Sequence, residues 1–286
     1  MPADPSGVPF RSVALVGLGV MGGSLARALA AVARPPRVRG WATDPEDRRA
    51  AAEAGVLEAV VGSLGEAVSG ADLVILATPL EATCALLGSL GQHLADGAVV
   101  TDVASLKAPV REAARRAGLT ERWVGSHPLC GSAHSGFGAS RVDLFRDATV
   151  YLTARDSSRD AYERIFQLWT ALGASPVPID AHTHDAVMTR VSHLPQMTAT
   201  ALAEVLRSEG VRRSALGPGG HDMTRLAMSS PEMWRDILRH APPELVAHLH
   251  SLSRAVGELA DLIEAGETDA LAERMERTRR WGEGET

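Results

Sequence analysis

From residue 12 the chain alternates short apolar runs with amphipathic stretches, the pattern of βα units built around a parallel sheet. The apolar runs are VALVG (13–17), VRGWAT (38–43), DLVILAT (72–78), AVVTDV (98–103), RWVGSH (122–127), ATVYLT (148–153) and SPVPI (175–179), and they predict seven strands. Helical periodicity lies between them over 22–33, 45–54, 81–93, 107–117 and 159–172, mostly with Gly or Pro at the ends. Beyond Ile179 the strand-like runs stop, and apolar residues recur at helical spacing through HDAVMTRVSHLPQMTATALAEVL, EMWRDILRH and ELVAHLHSLSRAVGELADLIEAG. The expected organisation is an α/β domain over 9–179 followed by an all-α domain over 180–286, with no Gly- or Ser-rich linker between them. Long apolar helices in roughly a hundred residues are hard to bury without a partner, which predicts a homodimer formed through the second half.

Composition narrows the classes of partner. A chain of 286 residues can form a substantial core, since roughly three quarters of the unfolded surface is buried at such lengths. The 29 Lys and Arg against 35 Asp and Glu leave a net charge of -6 and no basic stripe, which argues against nucleic acid and anionic lipid and favours a small-molecule partner. Cys84 and Cys130 have no CxxC spacing, so neither a disulfide framework nor a zinc site is expected. HTHD (182–185) and HLH (248–250) are not joined by carboxylate or cysteine at usable ligand spacing; they are expected to be solvated helix faces, and no metal is expected. The start lacks a secretory signal, and the longest apolar segment, LVILATPLEATCALLGSL, is broken by Pro79 and Glu81. A soluble, cytoplasmic protein is the resulting expectation.

The first apolar run leads into Gly17, Gly19 and Gly22, spaced G-x-G-x-x-G between a strand and a helix. In a Rossmann-type domain these glycines serve a tight turn, close approach of backbone to a pyrophosphate, and close packing of helix on strand. The helix N-terminus adds unpaired N–H groups and a favourable dipole. Asp44 follows at the end of the second strand, about twenty residues on, where a carboxylate accepts from a ribose diol and repels a 2′-phosphate. NAD is therefore expected, against the proximity of Arg48 and Arg49, which suit an extra phosphate. Asp44 also has the position of a helix N-cap.

Two further strand ends carry polar residues. TDVASLK (101–107) and SHPLCG (126–131) deliver Ser105, Lys107 and His127 to the carboxyl edge of the sheet, where open α/β folds place ligands. His127 stands among small residues in VGSHPLCGSAHSGFG (124–138), with room beside its ring. By itself that leaves it either a proton acceptor or a strand-end hydrogen-bonding group. In the helical half, HDAVMTRVSHLPQ (184–196) and GGHDMTRLAMSSPEMWRDI (219–237) set polar residues in apolar surroundings.

The order DVASLK, SHPLCG, SHLP, DMTRLA resembles the prephenate and arogenate dehydrogenases of tyrosine biosynthesis, over nearly the whole chain from the glycine loop to MWRDI. The resemblance implies a dinucleotide-binding domain, a helical dimerisation domain, and an active site in the cleft between them. The reaction it implies is NAD-dependent oxidative decarboxylation of a cyclohexadiene that bears a ring carboxylate and a 4-hydroxyl. His127 then corresponds to the general base, for which an imidazole titrating near working pH is suited. Ser105 corresponds to the serine that hydrogen-bonds this base and the substrate, although a serine after a strand is also an ordinary N-cap. Lys107 belongs to the same motif and is expected at the substrate, or else in the solvated first turn of a helix. Arg225 corresponds to the arginine that pairs with a substrate carboxylate, and its neighbours LAM argue against an exposed position. His193 is expected in or just behind the cleft, and Asp222 as an orienting or capping group.

One position departs from the family pattern. Gln196 stands where many prephenate-using members have a second histidine, near the substrate side chain. A neutral amide supplies no positive charge to a pyruvyl carboxylate, yet it accepts from the ammonium of an alanyl side chain. Prephenate is expected first, with arogenate or dual use as the alternative. A β-hydroxyacid dehydrogenase or imine reductase, and a sensor that binds NAD without turnover, are the more distant readings. The length leaves no room for a C-terminal regulatory domain or a fused mutase, so feedback by tyrosine is expected at the active site itself.

Overall fold

The computed structural model describes residues 7–131 and 134–284. Strands β1 (Ser12–Val16), β2 (Arg37–Trp41), β3 (Ala59–Val60), β4 (Leu73–Leu76), β5 (Val99–Asp102), β6 (Trp123–Pro128), β7 (Thr149–Thr153) and β8 (Ser175–Pro178) form one sheet in the order β3-β2-β1-β4-β5-β6-β7-β8. Helices α1 (Val20–Ala31), α2 (Pro45–Glu53), α3 (Leu64–Val68), α4 (Leu80–Leu90), α5 (Ala108–Arg116) and α6 (Arg159–Ala171) are interleaved with them. Then come α7 (Ala181–Met188), α8 (Leu194–Ser208), α9 (Pro218–Thr224), α10 (Pro231–Arg239), α11 (Glu244–Glu264) and α12 (Thr268–Gly282).

All seven predicted runs are strands, and the chain after Ile179 is helical as expected. Two features of the sheet differ from the expectation. The two-residue β3 is too short to show a period. The sheet is also mixed rather than parallel, because β7 runs antiparallel to β6, with His127 opposite Tyr151. A parallel neighbour needs a crossover, usually helical; among the described residues between β6 and β7 the only helical piece is the 3-10 turn Phe137–Ala139, so the chain comes straight back.

Alternation along the strands divides the core between two faces. Val13 and Leu15 point to one face, with Leu25 and Leu29 of α1 and Ile165, Leu168 and Trp169 of α6. Ala14 and Val16 point to the other, with Leu87 and Leu90 of α4, Val110 and Ala114 of α5, and Ile237 of α10. Both faces belong to the first of two compact units into which the chain divides. One runs to Met188 and includes Met228–Ala241; the other holds Thr189–Ala227 and the chain from Pro242 onward. The break lies beyond Ile179 because α7 packs on α5.

A π turn, Thr189–His193, joins α7 to α8. Pro195 has no N–H to give the carbonyl four residues back, and an insertion of this kind relieves the interrupted ladder. In the second unit the long helices bury few of their apolar side chains: α12 has no buried residue, Ile263 is 67% exposed and Trp281 76%. Among the described residues no helix is long and apolar enough to cross a membrane.

Candidate active site

β1, β4, β5 and β6 run parallel, so their carboxyl ends share one edge of the sheet. β1 and β4 are neighbours there, and the strand order leads away from them in opposite directions. That is the switch point at which such sheets bind ligands.

The glycine loop opens at this point. Gly17 has φ 96, a left-handed conformation, and a Cβ there would collide with the Ala77 carbonyl. A Cβ on Gly22 would overlap the Gly17 carbonyl oxygen, so helix and turn touch through backbone. Gly19 differs: its Cβ would meet only Asp47 Oδ2, at 3.9 Å, which leaves the open space a pyrophosphate needs. Substitution should separate these tasks. Gly22→Ala is expected to lower folding stability by roughly 1–3 kcal/mol through overpacking. Gly19→Ala is expected to unfold at the wild-type denaturant concentration without nucleotide and to bind NAD⁺ more weakly. Denaturation and titration calorimetry would check both.

Asp44 proves to be the N-cap of α2, its Oδ1 accepting from the N–H groups of Glu46 at 2.7 Å and Asp47 at 3.0 Å. The side chain is exposed and its other oxygen remains available to a diol, so capping and ribose recognition are compatible. Arg49, a candidate for an extra phosphate, is paired with Glu46 and Glu53. Asp47, which the sequence reading passed over, accepts from the N–H of Phe137 at 2.7 Å and so ties the segment after β6 to the glycine loop's side of the sheet. Ser132 and Ala133 in that segment lie outside the described residues.

His127 sits near the end of β6 with its ring half-buried. Its Nδ1 lies 2.8 Å from Nε2 of His184, and Nδ1 of His184 lies 2.7 Å from Oδ1 of Asp185. Asp185 is itself anchored by the backbone N–H groups of Lys107 at 2.8 Å and Ala108 at 2.9 Å, at the start of α5. His184 is fully buried, and burial holds its pKa below the ordinary histidine value, partly offset by the hydrogen bond to Asp185. The expectation that HTHD is a solvated helix face is thus wrong for His184 and Asp185. The signal was in the sequence: Ala181, His184, Asp185 and Met188 are spaced i, i+3, i+4, i+7, the inward stripe of a helix, and all four are buried.

Two motif residues take positions other than those expected. Lys107 is fully buried, with Nζ on Asp102 and donating to the Ser126 carbonyl at 2.7 Å. Neither a substrate contact nor a solvated helix turn describes it; it is half of an internal ion pair. Asp102 also accepts from Trp123 Nε1 at 3.0 Å and Ala104 N–H at 2.9 Å. Ser126, next to His127, is fixed as well, its hydroxyl bonded to Trp169 Nε1 at 2.9 Å and Thr101 Oγ1 at 2.8 Å. Ser105 is half-buried, and its hydroxyl makes no hydrogen bond among the described residues; the partner on Nδ1 of His127 is His184 instead.

In the second unit, His193 is buried in the π turn. Gln196 is buried on α8, its amide nitrogen donating to the Leu226 carbonyl at 2.9 Å. Arg225 caps the end of α9 and is exposed, as is nearby Met228, so the apolar neighbours did not signal burial. Asp222 is likewise exposed, and its carbonyl accepts from the Arg225 N–H.

With this geometry in place, comparison with known proteins gives concordant results. Residues 25–177 match the family model described as prephenate dehydrogenase, nucleotide-binding domain, and residues 180–277 match prephenate dehydrogenase, dimerization domain. The chain is 33% identical over 269 residues to a prephenate dehydrogenase of Bacillus subtilis, spanning 91% of this chain and 72% of that one. It is 27% identical to a cyclohexadienyl dehydrogenase of Zymomonas mobilis, over 95% of this chain and 94% of its relative. The crystal structure of the prephenate dehydrogenase from A. aeolicus, in complex with hydroxyphenyl propionate and NAD+, superposes with a TM-score of 0.85 at 27% identity, covering 94% of this chain and 96% of that one. The glycine loop, the half-buried histidine at the end of β6 and two family models that together span most of the sequence lead to one conclusion: the chain belongs to the prephenate dehydrogenase family.

Proposed function

We propose that this protein catalyses the NAD-dependent oxidative decarboxylation of prephenate to 4-hydroxyphenylpyruvate, a step of tyrosine biosynthesis. The observation that carries the reading is His127: a half-buried imidazole at the carboxyl edge of the sheet, on the same edge as the dinucleotide loop, with one nitrogen held by a buried histidine. NAD⁺, when bound, supplies the acceptor for the hydride that leaves C4 of the substrate ring. Gly17, Gly19 and Gly22 would cradle its pyrophosphate and Asp44 its ribose. His127 takes the proton of the 4-hydroxyl as the C4–O bond becomes a carbonyl. The bond to the ring carboxylate then breaks, its electron pair passes through the ring to that oxygen, and the oxygen recovers a proton to leave a phenol and CO₂. Arg225 is the guanidinium assigned to a substrate carboxylate, Ser105 offers a hydroxyl to the substrate, and His193 and Gln196 complete the binding set. The dimerisation domain, with its uncovered apolar side chains, serves a homodimer.

Mixing purified protein with NAD⁺ and prephenate tests the reading. Stoichiometric NADH and CO₂ are expected, with weaker turnover on NADP⁺. Tight nucleotide binding without turnover of any cyclohexadienyl acid would instead favour a sensor. Arogenate remains a second substrate on one specific ground, the neutral amide of Gln196. Gln196→His is expected to shift the ratio of kcat/KM for prephenate over arogenate by about ten-fold towards prephenate, the size of one charge-assisted hydrogen bond. Steady-state kinetics on both acids would check it.

A further inference from the structure

We propose that His184 and Asp185 are positioning residues for the base: they hold the proton of neutral His127 on Nδ1, leaving Nε2 to accept from the substrate hydroxyl, and they spread the resulting charge away from the reacting atoms. The inference rests on the reading of His127 as the base.

The polarity of the chain follows from its far end. Asp185 is an acceptor, and two backbone N–H groups at the start of α5 already point at its oxygens, at 2.8 and 2.9 Å. The contact of Asp185 Oδ1 with Nδ1 of His184, at 2.7 Å, therefore places a proton on that nitrogen. Neutral His184 then has only a lone pair at Nε2. Its contact with His127, 2.8 Å long, requires Nδ1 of His127 to be the donor. Each tautomer fixes the next, and the anchor is a pair of main-chain groups that cannot reorient. An imidazole with the proton on the wrong nitrogen cannot act as base towards substrate, whatever its pKa.

The same chain answers where the positive charge goes. Once His127 accepts the hydroxyl proton, its Nδ1–H strengthens its bond to His184, whose own N–H faces a carboxylate. Burial holds the pKa of His184 below the ordinary histidine value, which favours its neutral form, with a lone pair at Nε2. The charged and titratable groups around it are Asp185 on its own helix, Asp102 of β5 and Lys107 ahead of α5, which neutralise one another, His127 of β6, and Tyr151 of β7, whose ring is 5.6 Å away. The carboxylate of Asp185, hydrogen-bonded to Nδ1 of His184 at the end of this chain, favours the cationic form of the base.

The test combines a measurement on the unaltered protein with variants. In ¹⁵N-histidine spectra of the wild type at alkaline pH, His127 is expected to be protonated at Nδ1 and bare at Nε2; the opposite tautomer overturns the inference without reference to activity. His184→Leu, which keeps bulk and removes both hydrogen bonds, is expected to lower kcat by about 10²-fold and to move the acid limb of kcat/KM to lower pH. His184→Gln presents an acceptor to His127 and a donor to Asp185, and is expected to restore Nδ1 protonation and a large part of kcat. An unmoved acid limb in His184→Leu, or no recovery in His184→Gln, would overturn the inference. If His184→Leu does not fold, Asp185→Asn is expected to move the acid limb the same way, and the wild-type spectra still decide. Full turnover in His127→Asn would instead remove the reading of the base, a separate outcome.

Discussion

Replacing His127 with asparagine is expected to lower kcat by about 10²- to 10⁴-fold, the usual contribution of a positioned general base, while the Kd for prephenate changes little. Asparagine fits the space at the end of β6 and its amide hydrogen-bonds to the buried His184, so the sheet edge keeps its shape. What it lacks is a nitrogen that accepts a proton near neutral pH. The loss therefore falls on kcat and kcat/KM together, the signature of an interaction made only on the way to the transition state. A rise in KM with an unchanged kcat would mean that His127 merely binds the acid. Pre-steady-state measurement of NADH formation separates the two, because slow product release could otherwise conceal a change in the chemical step.

Lys107→Met should reveal a different kind of residue in the same motif. The lysine is fully buried against Asp102 and the Ser126 carbonyl. Removing one partner of a buried ion pair strands the other charge, at about 3–5 kcal/mol. Urea denaturation is expected to show a loss of that order, with the protein that remains folded retaining near-normal KM. The double variant Asp102→Asn with Lys107→Met is expected to recover part of the stability, since no charge is then left without its counterion. If Lys107→Met instead unfolded like the wild type and raised KM, the lysine would belong to the substrate after all.

The pair also shows what was legible in the sequence. The glycine loop, the strand ends and the helical second half could be read because each is a local pattern: a fixed spacing, an apolar run, a period. Whether Lys107 points outward or inward is not local. It depends on Asp102 and on the course of β6, and a lysine in a loop motif reads as solvated until its partner is seen. His184 and Asp185 were misjudged for a related reason. Two adjacent polar residues suggest a wet face, and only their spacing against Ala181 and Met188 tells otherwise. Arg225 erred in the opposite direction, because its apolar neighbours are themselves half-buried at Leu226 and Ala227 and exposed at Met228, and so gave no measure of burial. The reversal of β7 could have been anticipated from the want of a helical pattern between 129 and 148, and β3 had no period to detect.

α10 lies far along the chain yet belongs to the first unit, where Ile237 joins the core beside α4 and His240 bonds to Glu81 at 2.8 Å. During synthesis, then, the nucleotide-binding half waits, one flank bare, until the ribosome has delivered residues well past Met188. A gene shortened to that point would yield a fragment with an uncovered greasy patch and a tendency to self-associate, whereas grafting the 228–241 segment back by a short linker should give a version that stays monodisperse.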